Sequence, residues 1–200
     1  RDFLIDATIV GMPGDRLLAV SALAFGPHLR GSLSTEMPVS PSMSRAVARF
    51  QDPIFVAPTT ISPDASEFTG GGSTLVLDPQ HRGYVGRNDV GRGQVLTLDV
   101  LPTTKWTGRL FSMDRMVVAS NASLFSSLRP GTDALGPQLA VAVALAHELH
   151  VSRVVLPTDA QLDELWVARA TAMLAAVGID LELTSPTVLL DLDLVTGPGR

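Results

Sequence analysis

The chain of 200 residues contains no cysteine. This absence excludes disulfide bonds, thiolate metal sites and cysteine nucleophiles, although it leaves the cellular compartment open. Lysine is almost absent as well: Lys105 is the only one, so nearly all basic residues are arginine. Together with the many alanines, valines, glycines and prolines, this bias is typical of a GC-rich, bacterial-like genome.

Long apolar runs and an excess of positive charge are also missing. The longest apolar run, residues 139–146, falls far short of the roughly 20 residues that a membrane-spanning helix needs. The formal net charge of −5 argues against nucleic acid as a partner, because that association depends on counterion release from phosphates. Hydrophobic residues make up 46% of the sequence, which is too apolar for a disordered chain. We therefore expect a soluble, folded protein without a membrane span.

The chain begins Arg1-Asp2-Phe3, with neither an initiator methionine nor the apolar core of a signal peptide. We expect a processed or trimmed N-terminus. An upstream targeting segment is compatible with this expectation, so no compartment is assigned.

The first 120 residues alternate strand-like runs with breakers. Residues 3–10 and 17–25 have the apolar character of strands, although the alanine content of the second run also suits a helix. A turn signal, Met12 to Asp15, separates them. Frequent prolines then leave room for one short helix, residues 42–50. Further strands are predicted at residues 74–77, 95–101 and 109–119, the last two as a hairpin across residues 102–108.

The C-terminal part, Gly136 to Thr184, predicts a helix–strand–helix–strand unit. Residues 139–149 are apolar on every face and follow Pro137 at a first helical position, which predicts a buried helix. Residues 151–156 have the continuous apolar character of a strand covered on both faces. The second helix is expected to begin with a capping box at residues 158–161 and to end at Gly178, before a strand at residues 179–183; residues 188–195 alternate similarly.

These patterns predict an α+β or mixed α/β fold. A β-rich N-terminal two-thirds is expected to pack against the C-terminal unit or to share its sheet. We expect a single domain over residues 1–200, because this length supports one sizeable core. A subdivision into a β-rich part, residues 1–120, and an α/β part, residues 133–200, is the alternative.

A possible metal site lies at the end of the buried helix. His147, Glu148 and His150 approach the zinc-hydrolase pattern His-Glu-x-x-His, in which two histidines share a helix face and the glutamate activates water. The histidines here are three residues apart rather than four. The alternative interpretation is that they meet the negative end of the helix dipole.

A second candidate site is the stretch of residues 82–93, where Arg82, Arg87 and Arg92 recur every five residues among four glycines. Glycine lets backbone N–H groups turn toward an anion, and guanidinium groups bind phosphate or carboxylate bidentately. The alternative is a solvated loop. The paired acids Asp180 and Glu182, like Asp191 and Asp193, are interpreted as the solvent faces of amphipathic strands.

Two stretches resemble known hydrolase families. Residues 9–16, Ile-Val-Gly-Met-Pro-Gly-Asp-Arg, resemble a conserved stretch of type I signal peptidases, but Ala7 and Thr8 stand where that family has its catalytic lysine. The run from Ala144 to Ile179 resembles the end of Lon-type protease domains. The family's lysine would fall in the helix near Leu139, which has none.

For function, the sequence predicts a non-enzymatic binding or interaction domain that presents its proline- and glycine-rich loops to a protein partner. The alternatives are a hydrolase, either metal-dependent or serine-type, and a binder of small anions through the arginine stretch. No catalytic residue and no cofactor is assigned. Enzyme activity and oligomeric state are left open.

Overall fold

The strands that the structure describes form one mixed sheet. The computed structural model describes residues 2–29, 33, 35–51, 61–62, 71–79, 94–125, 132–157 and 162–184. The strands in these ranges are β1 (Ser73–Leu77), β2 (Val95–Pro102), β3 (Arg109–Phe111), β4 (Arg115–Ser120), β5 (Val151–Pro157) and β6 (Asp180–Thr184). Their order is β3-β4-β2-β1-β5-β6, and only β3 runs antiparallel to its neighbour. The predicted mixed α/β fold is confirmed, and the two parts of the chain share the sheet.

The described helices lie on one face of this sheet. They are α1 (Gly14–Phe25), α2 (Pro41–Phe50), α3 (Thr132–Leu145) and α4 (Glu164–Ala175), with short 3₁₀ turns at Gly26–His28 and Ala122–Leu124. All four helices share a core cluster with one sheet face, represented by Leu75 and Leu98. On the opposite face, Val76 and Val155 form a separate cluster with Val95. Within the described ranges, no helix is both long and apolar enough to cross a membrane.

Helix α3 is the centre of the core. Residues 139–146 are fully buried, and α3 packs against α1, β1 and β2. Gly136 allows α1 to approach closely, because a Cβ atom there would lie 2.8 Å from the backbone oxygen of Leu23. The predicted burial is thus confirmed. The predicted start of this helix is wrong, because α3 begins at Thr132 and Pro137 lies inside it.

A polar junction joins the two N-terminal helices. The carboxylate of Asp15, at the start of α1, accepts hydrogen bonds from the backbone N–H (2.6 Å) and the hydroxyl (2.5 Å) of Ser40. The Ser40 hydroxyl accepts a bond from the N–H of Met43 and so caps α2. Glycine is required at position 14, because a Cβ atom there would lie 2.2 Å from the carbonyl oxygen of Pro38. The stretch that resembles signal peptidases therefore ends in residues that serve helix packing.

Among the N-terminal predictions, the strand at residues 3–10 and the turn at residues 12–15 are wrong, and for residues 17–25 the helix alternative is confirmed. Residues 17–25 form part of α1 rather than a strand, and the turn predicted at Met12 to Asp15 contains the start of this helix. Residues 3–10 form no strand either, and only Ile5 makes an isolated bridge, with Ser120. Helix α1 is buried on most sides, so its sequence lacks the polar–apolar periodicity that distinguishes a helix from a strand.

The antiparallel hairpin predicted between residues 95–101 and 109–119 is wrong, because the second range contains parts of two strands, β3 and β4. Strand β2 pairs in parallel with β4, with Leu98 opposite Met116. The antiparallel hairpin is instead formed by β3 and β4. This arrangement places β3 at the edge of the sheet.

The C-terminal unit follows its prediction more closely. Strand β5 lies between β1 and β6 and is parallel to both, as the apolar run predicted. The capping box at residues 158–161 lies outside the described residues. Helix α4 begins later than predicted, at Glu164, after an N-cap at Asp163 that accepts the N–H of Leu165. Gly178, in the left-handed region (φ 71°), follows the helix as expected for a glycine that ends it.

Candidate functional site

The edge strand β3 carries an unusual concentration of exposed apolar side chains. Leu110 is 56% exposed, Phe111 53% and Met113, in the turn before β4, 80%. Trp106, in the turn before β3, is also exposed. We call these four side chains the β3 patch. Scattered exposed apolar residues are normal on a protein surface, but a group of them within one short segment is a candidate interaction surface.

Hydrogen bonds of the β3–β4 hairpin determine which backbone N–H and C=O groups of β3 point toward β4. The carbonyl of Gly108 accepts a hydrogen bond from Ala119, and the N–H of Ser112 donates to Arg115. Because strand geometry repeats every two residues, Leu110 also directs its backbone toward β4. The backbone N–H and C=O groups of Arg109 and Phe111 therefore point away from β4. Among the described strands, none pairs with this outer edge.

The side chains of β3 divide between the two faces of the sheet. Arg109 and Phe111 lie opposite Val118 and Met116, which belong to the core cluster on the helix side. Leu110 lies opposite Val117 and therefore on the other face. The apolar surface of β3 thus extends around the edge from one face to the other.

Arg109 joins the β3 edge to neighbouring segments. Its guanidinium Nη1 donates to Glu148 at 3.0 Å, and both side chains are more than a third exposed. It also lines a shallow pocket of about 360 Å³ with residues 5–8. One of these residues, Asp6, accepts a 2.6 Å hydrogen bond from the N–H of Gly108. The edge therefore has a polar rim beside its apolar patch.

The residues of the predicted metal site lie in the turn that follows α3. The helix ends at Leu145, so His147, Glu148 and His150 are not in its last turn as expected. Glu148 forms the ion pair with Arg109, and His150 has a positive φ of 52°. No group of three or more metal-ligating side chains that could hold an ion is found in the part of the chain that the structure describes.

The other predicted site residues divide into two groups. Arg82, Arg87 and Arg92 lie outside the described residues, as do Asp191 and Asp193. Asp180 and Glu182 are exposed on β6, where Arg153 of β5 lies 3.4 Å and 3.7 Å from their carboxylates. Lys105 lies in an exposed turn.

A buried polar cluster on the sheet was missed by the sequence predictions. Asp99 of β2 is only 2% exposed, and its carboxylate accepts a hydrogen bond from Nε of Arg115. This bond is the main reason that the pKa of Arg115 lies above its ordinary value; burial opposes the shift, whereas the charges of Asp99, Asp78 and Asp114 add to it. Asp78 directly follows β1 and is completely buried. The available signal was an acidic residue inside or directly after an apolar strand run.

This cluster differs from the β3 patch in accessibility. Asp78 and Asp99 present almost no surface to solvent, so the hydrogen bond between Asp99 and Arg115 ties β2 to β4 within the folded sheet. The β3 patch, in contrast, is open to a macromolecule from both faces. Among the described residues, the β3 edge is therefore the better candidate for a functional surface.

In comparisons with known proteins, no family model, no curated protein and no solved structure matches the chain.

Proposed function

We propose that this chain is a non-enzymatic interaction domain that binds a protein partner along β3. The observation that carries the proposal is the outer edge of β3, where unpaired backbone groups lie next to the exposed side chains of the β3 patch. An extended segment that adds to such an edge gains main-chain hydrogen bonds, while alternate side chains supply specificity. This proposal places the interaction surface on a hairpin, whereas presentation of the proline- and glycine-rich loops stays a prediction.

The chemistry of the edge favours a peptide or protein over a small ligand. Exposed aromatic and methionine side chains, together with arginine, are the types enriched in protein interfaces. The β3 edge combines Trp106, Phe111 and Met113 with Arg109. The short length of β3 limits how many hydrogen bonds a partner strand can form, so the apolar side chains must provide much of the affinity.

A site-specific photo-crosslinking experiment tests this proposal. Benzoylphenylalanine would replace Leu110 in one variant and Leu165, on α4, in a matched control. Both leucines are 56% exposed, so the two probes sample solvent to the same extent. In a lysate of the source cells, we expect a discrete protein adduct from position 110 and none from position 165. Equal labelling at both positions, or no adduct at position 110, would overturn the proposal.

A further inference from the structure

We propose that the partner on the β3 edge is a second copy of this chain, paired antiparallel about a two-fold axis at Leu110. This inference rests on the proposed function, because it names the occupant of the same edge. The argument comes from the directions of the backbone groups, the position of the only charge on β3 and the arrangement of its apolar side chains.

Backbone geometry restricts the registers that two copies of β3 can adopt. The N–H and C=O groups of Arg109 and Phe111 point outward, so these residues must lie opposite outward-pointing residues of the other copy. A two-fold axis at Leu110 meets this condition by placing Arg109 opposite the partner's Phe111 and Phe111 opposite the partner's Arg109. Each copy then uses all three residues of its strand.

The positions of charged and irregular residues argue against the two neighbouring registers. A two-fold axis at Arg109 would place two guanidinium groups opposite each other, and directly opposed like charges destabilise a strand pair. An axis at Phe111 would require Met113 to act as a strand residue, although the structure places Met113 in the bend after β3. The axis at Leu110 has neither disadvantage.

The side chains of the edge are complementary to themselves in this register. On the helix side, the ring of the partner's Phe111 lies beside Arg109, where a guanidinium and an aromatic face attract each other. A pocket lined by Arg109 and residues 5–8 adjoins this guanidinium-bearing side chain. On the other face, Leu110 meets the partner's Leu110. Half-exposed apolar side chains of both copies are thus removed from water together.

The size of the edge sets the expected strength of the dimer. Stable interfaces bury about 800 Å² on each partner. A three-residue strand and the four side chains of the β3 patch form a smaller surface. We therefore expect a concentration-dependent dimer rather than a permanent one.

Sedimentation equilibrium of the purified chain tests the inference. The apparent mass is expected to rise from 21.1 kDa toward twice this value as the concentration increases. Leu110→Lys should raise the dissociation constant at least about tenfold, because it opposes two ammonium groups at the axis. Leu165→Lys, the matched control at an equally exposed leucine, should leave the dissociation constant unchanged.

Mixing two charge variants tests the register itself. Leu110→Lys and Leu110→Glu should each remain monomeric, and an equimolar mixture should associate because unlike charges then meet at the axis. A mixture that stays monomeric would overturn this register. Thermal unfolding of both variants establishes that they are folded, as expected for substitutions at an exposed position.

The absence of cysteine permits a covalent test of the same contact. In an antiparallel pair without direct hydrogen bonds, opposed Cα atoms lie about 4.5 Å apart, which suits a disulfide. Leu110→Cys should therefore form a disulfide-linked dimer on mild oxidation, whereas Leu165→Cys should form little. Equal amounts of linked dimer from both variants would contradict the proposed axis.

The two proposals can fail separately. If the purified chain remains monomeric at every concentration while position 110 forms an adduct with another protein, the second copy is the wrong partner and the interaction domain stands. If position 110 forms no adduct and the chain does not associate, both proposals are overturned.

Discussion

The two end strands of the described sheet, β3 and β6, differ in how they place apolar and charged residues. At the β6 edge, Leu181 is buried against the helices, and the carboxylates of Asp180 and Glu182 face solvent beside Arg153. At the β3 edge, Leu110 and its apolar neighbours face solvent. Two strands further in, on β2, the carboxylate of Asp99 is buried.

This difference separates residues that stabilise the fold from residues of the proposed interaction surface. The β6 edge follows the ordinary requirements of folding, because apolar burial stabilises it and exposed charges discourage unwanted strand pairing. The β3 edge gains little from its exposed leucine and phenylalanine in the isolated chain. Its residues are therefore better explained by association than by the stability of the fold.

The largest expected effect comes from the same substitution at the two edges. Leu181→Ala should lower the free energy of unfolding by about 2–3 kcal/mol, because it removes buried methyl groups and leaves a cavity. Leu110→Ala should change this free energy by less than about 0.5 kcal/mol, because its side chain is already half in water. Urea unfolding of both variants at low protein concentration measures the difference. Equal losses would show that the β3 edge is part of the stabilising core.

A second comparison concerns the carboxylates near each edge. Asp99→Asn should lower the free energy of unfolding by about 1–2 kcal/mol, because it weakens a charge-assisted hydrogen bond whose acceptor is buried. This range allows for the partial exposure of Arg115, which screens the pair. Asp180→Asn, at an exposed carboxylate, serves as the control and should cost less than about 0.5 kcal/mol. The comparison fails if both variants unfold at the same urea concentration.

A third comparison concerns how the free energy of unfolding changes at alkaline pH, which should differ between Arg16 and Arg115. Burial lowers the pKa of Arg16 to about 10, whereas the hydrogen bond to Asp99 raises that of Arg115. Above pH 10 the folded state releases the Arg16 proton before the unfolded state does, so wild type should gain stability relative to Arg16→Met. The gain should be about 1 kcal/mol between about pH 9 and pH 11.

Arg115 should behave differently over the same interval. Because folding raises the pKa of Arg115, the stability that its charge contributes is fully present at pH values below the ordinary pKa of arginine. It is lost only at higher pH. The difference between wild type and Arg115→Gln should therefore stay constant from about pH 9 to pH 11. Chemical unfolding at both pH values checks the two arginines together. Parallel changes in the two variants would contradict the assigned environments.

The smallest effect is expected at the charged edge itself. Arg153→Gln should lower the free energy of unfolding by less than about 0.5 kcal/mol, because both of its ion pairs are half exposed to solvent. Moderate salt should remove most of this difference by screening. A larger loss that persists in salt would mean that the β6 edge depends on its ion pairs and not on burial.

The fold could be predicted from sequence where local patterns are sufficient. Strands β1 and β5 follow from short apolar runs, and α3 from its uniformly apolar stretch. Helix α1 could not be distinguished from a strand, because its burial removes the polar face. The parallel pairing of β2 with β4 depends on contacts across the sheet, which no local pattern encodes.

The candidate surface was less predictable than the fold. The sequence Arg109-Leu110-Phe111 fits a buried strand as well as an exposed one, and only its place at the end of the strand order exposes it. Sequence motifs instead pointed to His147, Glu148 and His150 and to the arginine stretch, residues 82–93. Edge position is a property of the assembled sheet, so it could not be read from residue spacing.

The strand order also determines when the strands can pair during synthesis on the ribosome. One side of β1 can pair with β2, the next strand in the chain, but its other side must wait for β5. The described strands β2, β3 and β4, together with α3, are translated between β1 and β5. During that interval the nascent chain carries an apolar strand with an open side, which is the kind of segment that chaperones shield from aggregation. Pairing on the second side of β1 therefore has to wait until β5 has been translated.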